Sequence, residues 1–249
     1  MKTERPRTPA ARPAFYALPT GGWRDYWTLL HPPYTAWHLS YVAIGAAVAP
    51  HLDGGRLAAS LLGFFLGVGL TAHALDELKG RPLRTSIPSG VLKALAAVAL
   101  VAAVGLGVLG AVKVSWWLLA FVGFGAFIVL AYNLELAGGR FHSDLWFAVS
   151  WGAFPALTGY FAQAAAIRWP VLPIALACLL LSAAQRALST PVRRLRRHTV
   201  AVEGRMVMAD GTEVLIDEHF LRAAPEAALR AMAFALSLLA AGMIAARLW

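Results

Sequence analysis

Residues 91–112 read VLKALAAVALVAAVGLGVLGAV, a run of 22 positions whose single charge, Lys93, sits near one end. At 1.5 Å per residue such a run makes a helix about 33 Å long, close to the hydrocarbon thickness of a bilayer. A helix that is apolar all round needs apolar surroundings all round. Six further runs have the same character, at residues 34–50, 57–75, 114–132, 145–166, 171–187 and 227–248. Apolar residues make up 59% of the 249 positions and charged residues 14%, and the charges fall in short blocks between the runs. The pattern predicts an all-α, polytopic transmembrane helical bundle of about seven spans. Residues 1–30 read as a cytosolic tail, 31–187 as six spans, 188–224 as a basic cytosolic insert and 225–249 as the seventh span.

The short links at residues 51–56 and 167–170, and the junction at Lys113, imply antiparallel neighbours. Gly63 and Gly67, and the Gly105, Gly107 and Gly110 set, predict close helix approach. Of the 22 Lys and Arg residues, 18 fall on one side of this alternation, and only Arg56, Lys113, Arg168 and Arg247 fall on the other. Positive charge collects on the cytoplasmic side, so the N-terminus is expected inside a bacterial or archaeal plasma membrane. The same rule accounts for the net charge of +9, and no nucleic-acid partner is expected. Cys178 stands alone in an apolar run, which leaves neither a disulfide framework nor a cysteine metal site. The first thirty residues carry scattered Pro and Arg and lack a signal-peptide core; Trp23, Tyr26 and Trp27 beside Arg24 read as an interfacial anchor. In the insert, Asp210-Gly211 predicts a small hairpin, and Pro225 a helix start. The basic run at 193–197 reads as a contact for anionic headgroups, or for an anionic substrate.

Two blocks at helix ends on the basic side concentrate the chemistry. The first contains His73, Asp76, Glu77, Lys79, Arg81 and Arg84, and the second Tyr132, Asn133, Glu135, Arg140, His142 and Asp144. On a helix His73, Asp76 and Glu77 share a face at i, i+3 and i+4. Such carboxylates suit a hard cation such as Mg2+, which would neutralise substrate phosphates, and Lys79, Arg81 and Arg84 would add direct contacts. Each block also has a plain reading as surface ion pairs or, for Asp144, as a helix N-terminal acid. Ionisable groups at membrane depth are costly, so two clusters on one side predict a common site. His38, inside the first span, reads as a packing residue.

These residues give the chain a resemblance to the UbiA-type intramembrane prenyltransferases over residues 30–163. His31-Pro32-Pro33-Tyr34-Thr35 resembles the family's entry to its first helix. His73-x-x-Asp76-x-x-x-Gly80 lies where the first aspartate motif would stand, with Asp76 the direct match. Arg81-Pro82-Leu83 and Ile87-Pro88-Ser89-Gly90 resemble the phrases that follow it. Tyr132-Asn133-Leu134 resembles the family's Tyr-containing turn, and Trp151 to Pro155 with Gly159-Tyr160 its glycine-rich fifth helix. The second aspartate motif has no counterpart, because the end of the sixth run holds Gln185, Arg186, Arg193 and Arg194 and no carboxylate. The spans also number seven where the family usually has nine.

The resemblance implies transfer of an isoprenoid from its diphosphate to a lipid-soluble acceptor. Asp76, Glu77, Tyr132 and Asp144 would then be catalytic, and Lys79, Arg81, Arg84, Asn133, Arg193 and Arg194 would bind substrate. Mg2+ is the implied cofactor, with His73, Asp76, Glu77, Glu135 and His142 as candidate ligands. A basic run with Arg193, Arg194, Arg196 and Arg197 would stand in for one Mg2+ site. Two alternatives carry different chemistry: a membrane enzyme with a His/carboxylate transition-metal site, and a non-catalytic lipid-binding protein. A cavity opening toward the cytosol is expected above the clusters, with room made by Gly63, Gly67, Gly152 and Gly159.

Overall fold

A computed structural model gives the positions of residues 12–248. Most of the tail reading, at residues 1–11, lies outside the described residues. The chain is mostly helical. A short α1 (Trp23–Leu29) leads to α2 (Pro32–Ala47), followed by α3 (Gly54–Leu78), α4 (Ser89–Lys113) and α5 (Leu118–Asn133). Helix α6 covers residues 144–164 in three joined parts, Asp144–Ala148, the wider-turned Val149–Ala153 and Phe154–Ala164. Helix α7 (Val171–His198) leads to the antiparallel strands β1 (Gly204–Val207) and β2 (Glu213–Ile216), and then to α8 (Glu218–Leu248).

Among the described residues, α3, α4, α7 and α8 are long and apolar enough to cross a membrane, and α5 is a shorter apolar helix. Their outer faces stay apolar: Val101 is 72% exposed, Phe234 72% and Leu238 73%. Water would not tolerate such faces, whereas lipid does, and the protein is membrane-associated. Exposed Trp23 and Trp27 ring one end of the bundle, and exposed Trp116, Trp117 and Trp169 lie at the other. Indole rings settle at membrane–water boundaries.

Local chemistry starts the helices. Pro32 occupies the first turn of α2, where a missing N–H costs nothing. Asp53 caps α3 by accepting from the Arg56 N–H at 2.8 Å, and Ser143 caps α6 through Trp146. Asp217 accepts from the Phe220 N–H at 2.7 Å and so starts α8 at Glu218, seven residues before Pro225, which lies inside the helix. The expected restart at Pro225 is corrected on that ground. Helix α7 likewise continues through Arg193, Arg194, Arg196 and Arg197, which the sequence reading placed in the insert. Residues 12–30 are no tail: Ala14, Ala17, Asp25, Thr28 and Leu29 are buried.

Helix α2 is the central post, with residues 41–47 all buried. It packs on the last part of α6 and on α8. The contact with α6 is made by glycine. A Cβ on Gly45 would lie 2.0 Å from the Ala156 carbonyl oxygen, and one on Gly159 would lie 2.2 Å from that of Val42. On its other face, α6 presses Gly152 against the Cys178 carbonyl of α7. Of the expected close-approach glycines, Gly107 fits the reading, since a Cβ there would lie 2.4 Å from the Val122 side chain of α5, and Gly110 meets Leu118 at 3.6 Å; Gly67 and Gly105 face open space, and Gly63 meets only Leu106 at 3.9 Å.

At the end opposite the two polar blocks, Asp53 and Gln163 exchange backbone and side-chain hydrogen bonds, Arg56 donates to the Gln163 carbonyl, and Arg247 donates to the Pro50 carbonyl at 2.8 Å. The ends of α2, α6 and α8 and the start of α3 are thereby tied together. Both polar blocks and the last turns of α7 lie at the other, basic end.

Gly45→Ala and Gly159→Ala should each destabilise the fold by about 1–3 kcal/mol through overpacking. Gly67→Ala should leave stability unchanged or raise it, since it gains helix propensity without a clash. Thermal midpoints of the three variants in detergent check this.

Candidate functional site

The basic end is organised by two buried carboxylates. Glu77, in the last turn of α3, is fully buried. Its Oε2 accepts the Leu83 N–H at 2.9 Å, and its Oε1 accepts the Thr85 N–H at 2.9 Å and the Thr85 hydroxyl at 2.8 Å. Asp25 of α1 accepts the N–H and hydroxyl of Ser86 and the N–H of Gly21. The loop 79–88 is thus strung between two anions that answer its backbone donors. Burial alone would raise the Asp25 pKa, but the bonds from Ser86 and Gly21 outweigh it and hold the group below the ordinary carboxylate range.

Within this loop the arginines serve the turn. Gly80, Arg81 and Arg84 all have positive φ, and Arg81 donates to the Ile87 carbonyl at 2.6 Å and to the Ser89 hydroxyl at 2.7 Å. Gly80 stands where the resemblance expects an aspartate, and its φ of 84° explains why glycine suits the position. The structure therefore places Glu77 and Arg81 in loop-building contacts and leaves Arg84 exposed. Lys79 pairs with Glu135 at 2.6 Å in a half-exposed bridge, which draws the Glu135 carboxylate below its usual range. Asn133 is buried and donates to the Val129 carbonyl of its own helix. Asp144 is exposed and pairs with Arg186 at 2.8 Å. His142 stacks on Tyr132 at 4.4 Å, with its Nδ1 against the Tyr132 carbonyl. His38, read as a packing residue, bonds through Nδ1 to the Trp151 carbonyl.

What remains free is Asp76. Among the described residues it alone of the carboxylates at this end has neither a hydrogen bond nor an ion pair. Arg197 and Arg193 of α7 are the strongest cations acting on it, ahead of His142. Neither arginine has a carboxylate ion-pair partner among the described residues. Arg193 is steadied by the Ser189 and Thr190 hydroxyls at 2.9 and 3.1 Å, and Arg197 donates to the Pro13 carbonyl at 3.3 Å. Arg196, one residue away, is instead consumed by the buried Glu226 of α8, and Arg194 is exposed beside a surface groove with His198.

At the same end stand polar atoms without partners. The Tyr132 hydroxyl is buried and bonds to nothing, and so is His31 Nε2. His31 stacks on His73 at 4.1 Å and lies 5.3 Å from the ring of Tyr16. Burial first, then the nearby His73 and Arg197, hold the His31 pKa well below its ordinary value, so its ring is neutral at neutral pH. Burial likewise raises that of Tyr16. Tyr16 was missed in the sequence: it arrives on a strap of residues 12–17 held by Arg196 on the Arg12 carbonyl and by Arg230 against the Phe15 ring at 4.8 Å. Its only signal was an aromatic pair, Phe15-Tyr16, in a proline-rich stretch.

The arrangement offers one free carboxylate, two unpaired guanidinium groups and two unanswered neutral polar atoms. It suits an anionic ligand better than a bare cation. Among the described residues no three His, Cys, Asp or Glu side chains group as a metal site. The expected ligands His73, Glu77, Glu135 and His142 are occupied by ring stacking, loop bonds and Lys79, so the donor set does not fit a multi-carboxylate Mg2+ centre. Comparison with protein-family models, curated proteins and solved structures finds no match to the chain.

The depressed folded pKa of Asp25 means that it stabilises the loop fully above its unfolded pKa of about 3.9, and that this support is lost as pH falls through the lower folded value. Hydrogen exchange of the Ser86 amide should therefore be protected down to about pH 4 and lose protection below it. In Asp25→Asn the protection should be weak at every pH.

Proposed function

We propose that the chain is a divergent UbiA-like membrane prenyltransferase with about seven spans and its basic end in the cytosol, acting on an isoprenoid diphosphate and a lipid-soluble acceptor. The observation that carries the reading is Asp76, a carboxylate with no hydrogen-bond or ion-pair partner among the described residues, on which Arg197 and Arg193 are the strongest cations acting, themselves without a carboxylate partner among those residues. The topology is supported by helix ends that alternate between the two faces and by the excess of Lys and Arg at one of them.

The chemistry follows from charge. As the allylic C–O bond breaks, its electron pair leaves with the diphosphate, and that growing negative charge needs fixed donors. Arg193 and Arg197 would supply them, in place of the carboxylate-bound cations of the related family. The allylic carbon becomes electron-poor, and the Asp76 carboxylate, held away from other partners, would stabilise it. As the acceptor forms its new bond to that carbon it must lose a proton, for which Asp76 is the available base. The Tyr132 hydroxyl and His31 Nε2 would hydrogen-bond the bound headgroup and so lose their unpaired state. The strap that carries Tyr16 against His31 would exclude water from the electron-poor carbon.

A second reading, a non-catalytic binder of phosphorylated lipids, is favoured by one observation: Glu77, Glu135 and Asp144 all serve structural contacts. Binding and turnover tell the two apart. Geranylgeranyl diphosphate should raise the thermal midpoint of the purified wild type, and the double variant Arg193→Gln, Arg197→Gln should weaken binding at least tenfold. Asp76→Asn should keep the binding and lose pyrophosphate release in native membranes by a hundredfold or more. Equal binding by the double variant would refute the site, and binding without any release by wild type would favour the second reading.

A further inference from the structure

A deep apolar cavity lies away from the polar clusters, above which one was expected. It measures about 590 Å³ and lies between α3, α4, α5 and α6, with its charged residues, Asp53, Arg56 and Lys113, at the opposite end of the bundle. We infer that this cavity is a second binding site, for the single long chain of an amphiphile whose anionic headgroup rests on Arg56 and Lys113.

Four observations carry the inference. First, the walls are apolar and deep. Lining residues run from Arg56 to Val68 on α3, a distance of about 18 Å along the helix. They end against Val129 and Trp151, and the volume falls within the ~300–1,000 Å³ of small-molecule sites. Second, the space is built by missing side chains. Gly63 and Gly67 line it, and a Cβ on Gly67 would meet nothing within 4 Å. Third, α3 and α6 each carry a stretch of wide-turned π-helix, Phe65–Ala72 and Val149–Ala153, and these contribute Gly67, Val68 and Trp151 to the cavity. Such stretches recur at functional sites, since each costs regular helix geometry.

Fourth, the rim is cationic. Asp53 is spent on capping α3, whereas Arg56 has only the Gln163 carbonyl and Lys113 is exposed, neither with a carboxylate partner among the described residues. Exposed Trp116 and Trp117 lie beside this rim in the chain and mark the depth at which headgroups sit. A chain buried in the cavity and an anion held at its mouth is the one occupant that answers both the walls and the rim. Fatty acids and isoprenyl monophosphates share that chemistry.

The site is independent of the diphosphate reading, being at the other end of the bundle and lined by none of its residues. The test uses the full chain in detergent with labelled oleate and labelled geranylgeranyl monophosphate, and with oleyl alcohol as the neutral counterpart. Wild type should bind at least one anionic probe saturably at a Gly67-sensitive site, and whichever binds there tells the acyl source from the isoprenoid one. Gly67→Leu should weaken that binding at least tenfold with no loss of thermal stability. Arg56→Gln with Lys113→Gln should erase the preference over oleyl alcohol, and Arg193→Gln with Arg197→Gln should leave the Gly67-sensitive binding in place. Binding unaffected by Gly67→Leu, no saturable binding by wild type, or loss of binding only in the Arg193, Arg197 variant would each overturn the inference.

Discussion

The buried carboxylate of Glu77 is the interaction on which the basic end depends. A charge fully withdrawn from solvent survives only when its oxygens are answered, and here three donors from Leu83 and Thr85 answer them. The consequence reaches beyond the loop. By binding the chain that leaves α3, Glu77 fixes the helix's last turn, and its neighbour Asp76, about 100° away around the helix, points in another direction and is left out of the loop bonds. Asp25 holds the far side of the same loop and joins it to α1. The strap before α1 then carries Tyr16 against His31.

On α7 a similar division of labour separates neighbouring arginines. Arg196 pairs with the buried Glu226 and locks α7 to α8, a contact whose loss would leave that carboxylate only the longer pairing with Arg230 at 3.7 Å. Arg193 and Arg197, four residues apart, share another face, where hydroxyls and a backbone carbonyl steady them without neutralising them. Unneutralised guanidinium groups in a mostly buried place are expensive to keep. Their presence at the same end as Asp76, the carboxylate there without a partner among the described residues, is the strongest sign that a ligand completes the charge balance.

Much of the helical framework was legible in the sequence. The run at 91–112 became a helix over Ser89–Lys113, the stretch at 57–75 lies in α3, and that at 34–50 lies in α2 up to Ala47, because long apolar runs leave the backbone no other way to satisfy its bonds. The gathering of ionisable residues at one end was also legible, from their position at alternate helix ends. The separate duties of Asp76 and Glu77 were not. They are adjacent in sequence and alike in chemistry, and only the course of the following loop decides which is consumed. Nor was the helical course of 188–198 legible: the Arg-rich composition reads as a polar loop, yet arginine is a good helix former and Arg196 gains a buried partner by staying helical. Gly63 and Gly67 showed the limit of motif reading, since the same spacing serves close packing and open space; of the expected set Gly107 packs closely, and the tightest backbone approaches went to Gly45, Gly152 and Gly159.

The central claim is that arginine side chains of α7, and not a carboxylate-bound metal, neutralise an anionic headgroup beside Asp76. Its most direct test is isothermal titration of the purified wild-type chain with geranylgeranyl diphosphate, once in excess EDTA and once in millimolar Mg2+. Saturable binding in EDTA, with a Kd within about threefold of that in Mg2+, is the predicted result. Binding that vanishes in EDTA and returns with Mg2+ would contradict the account.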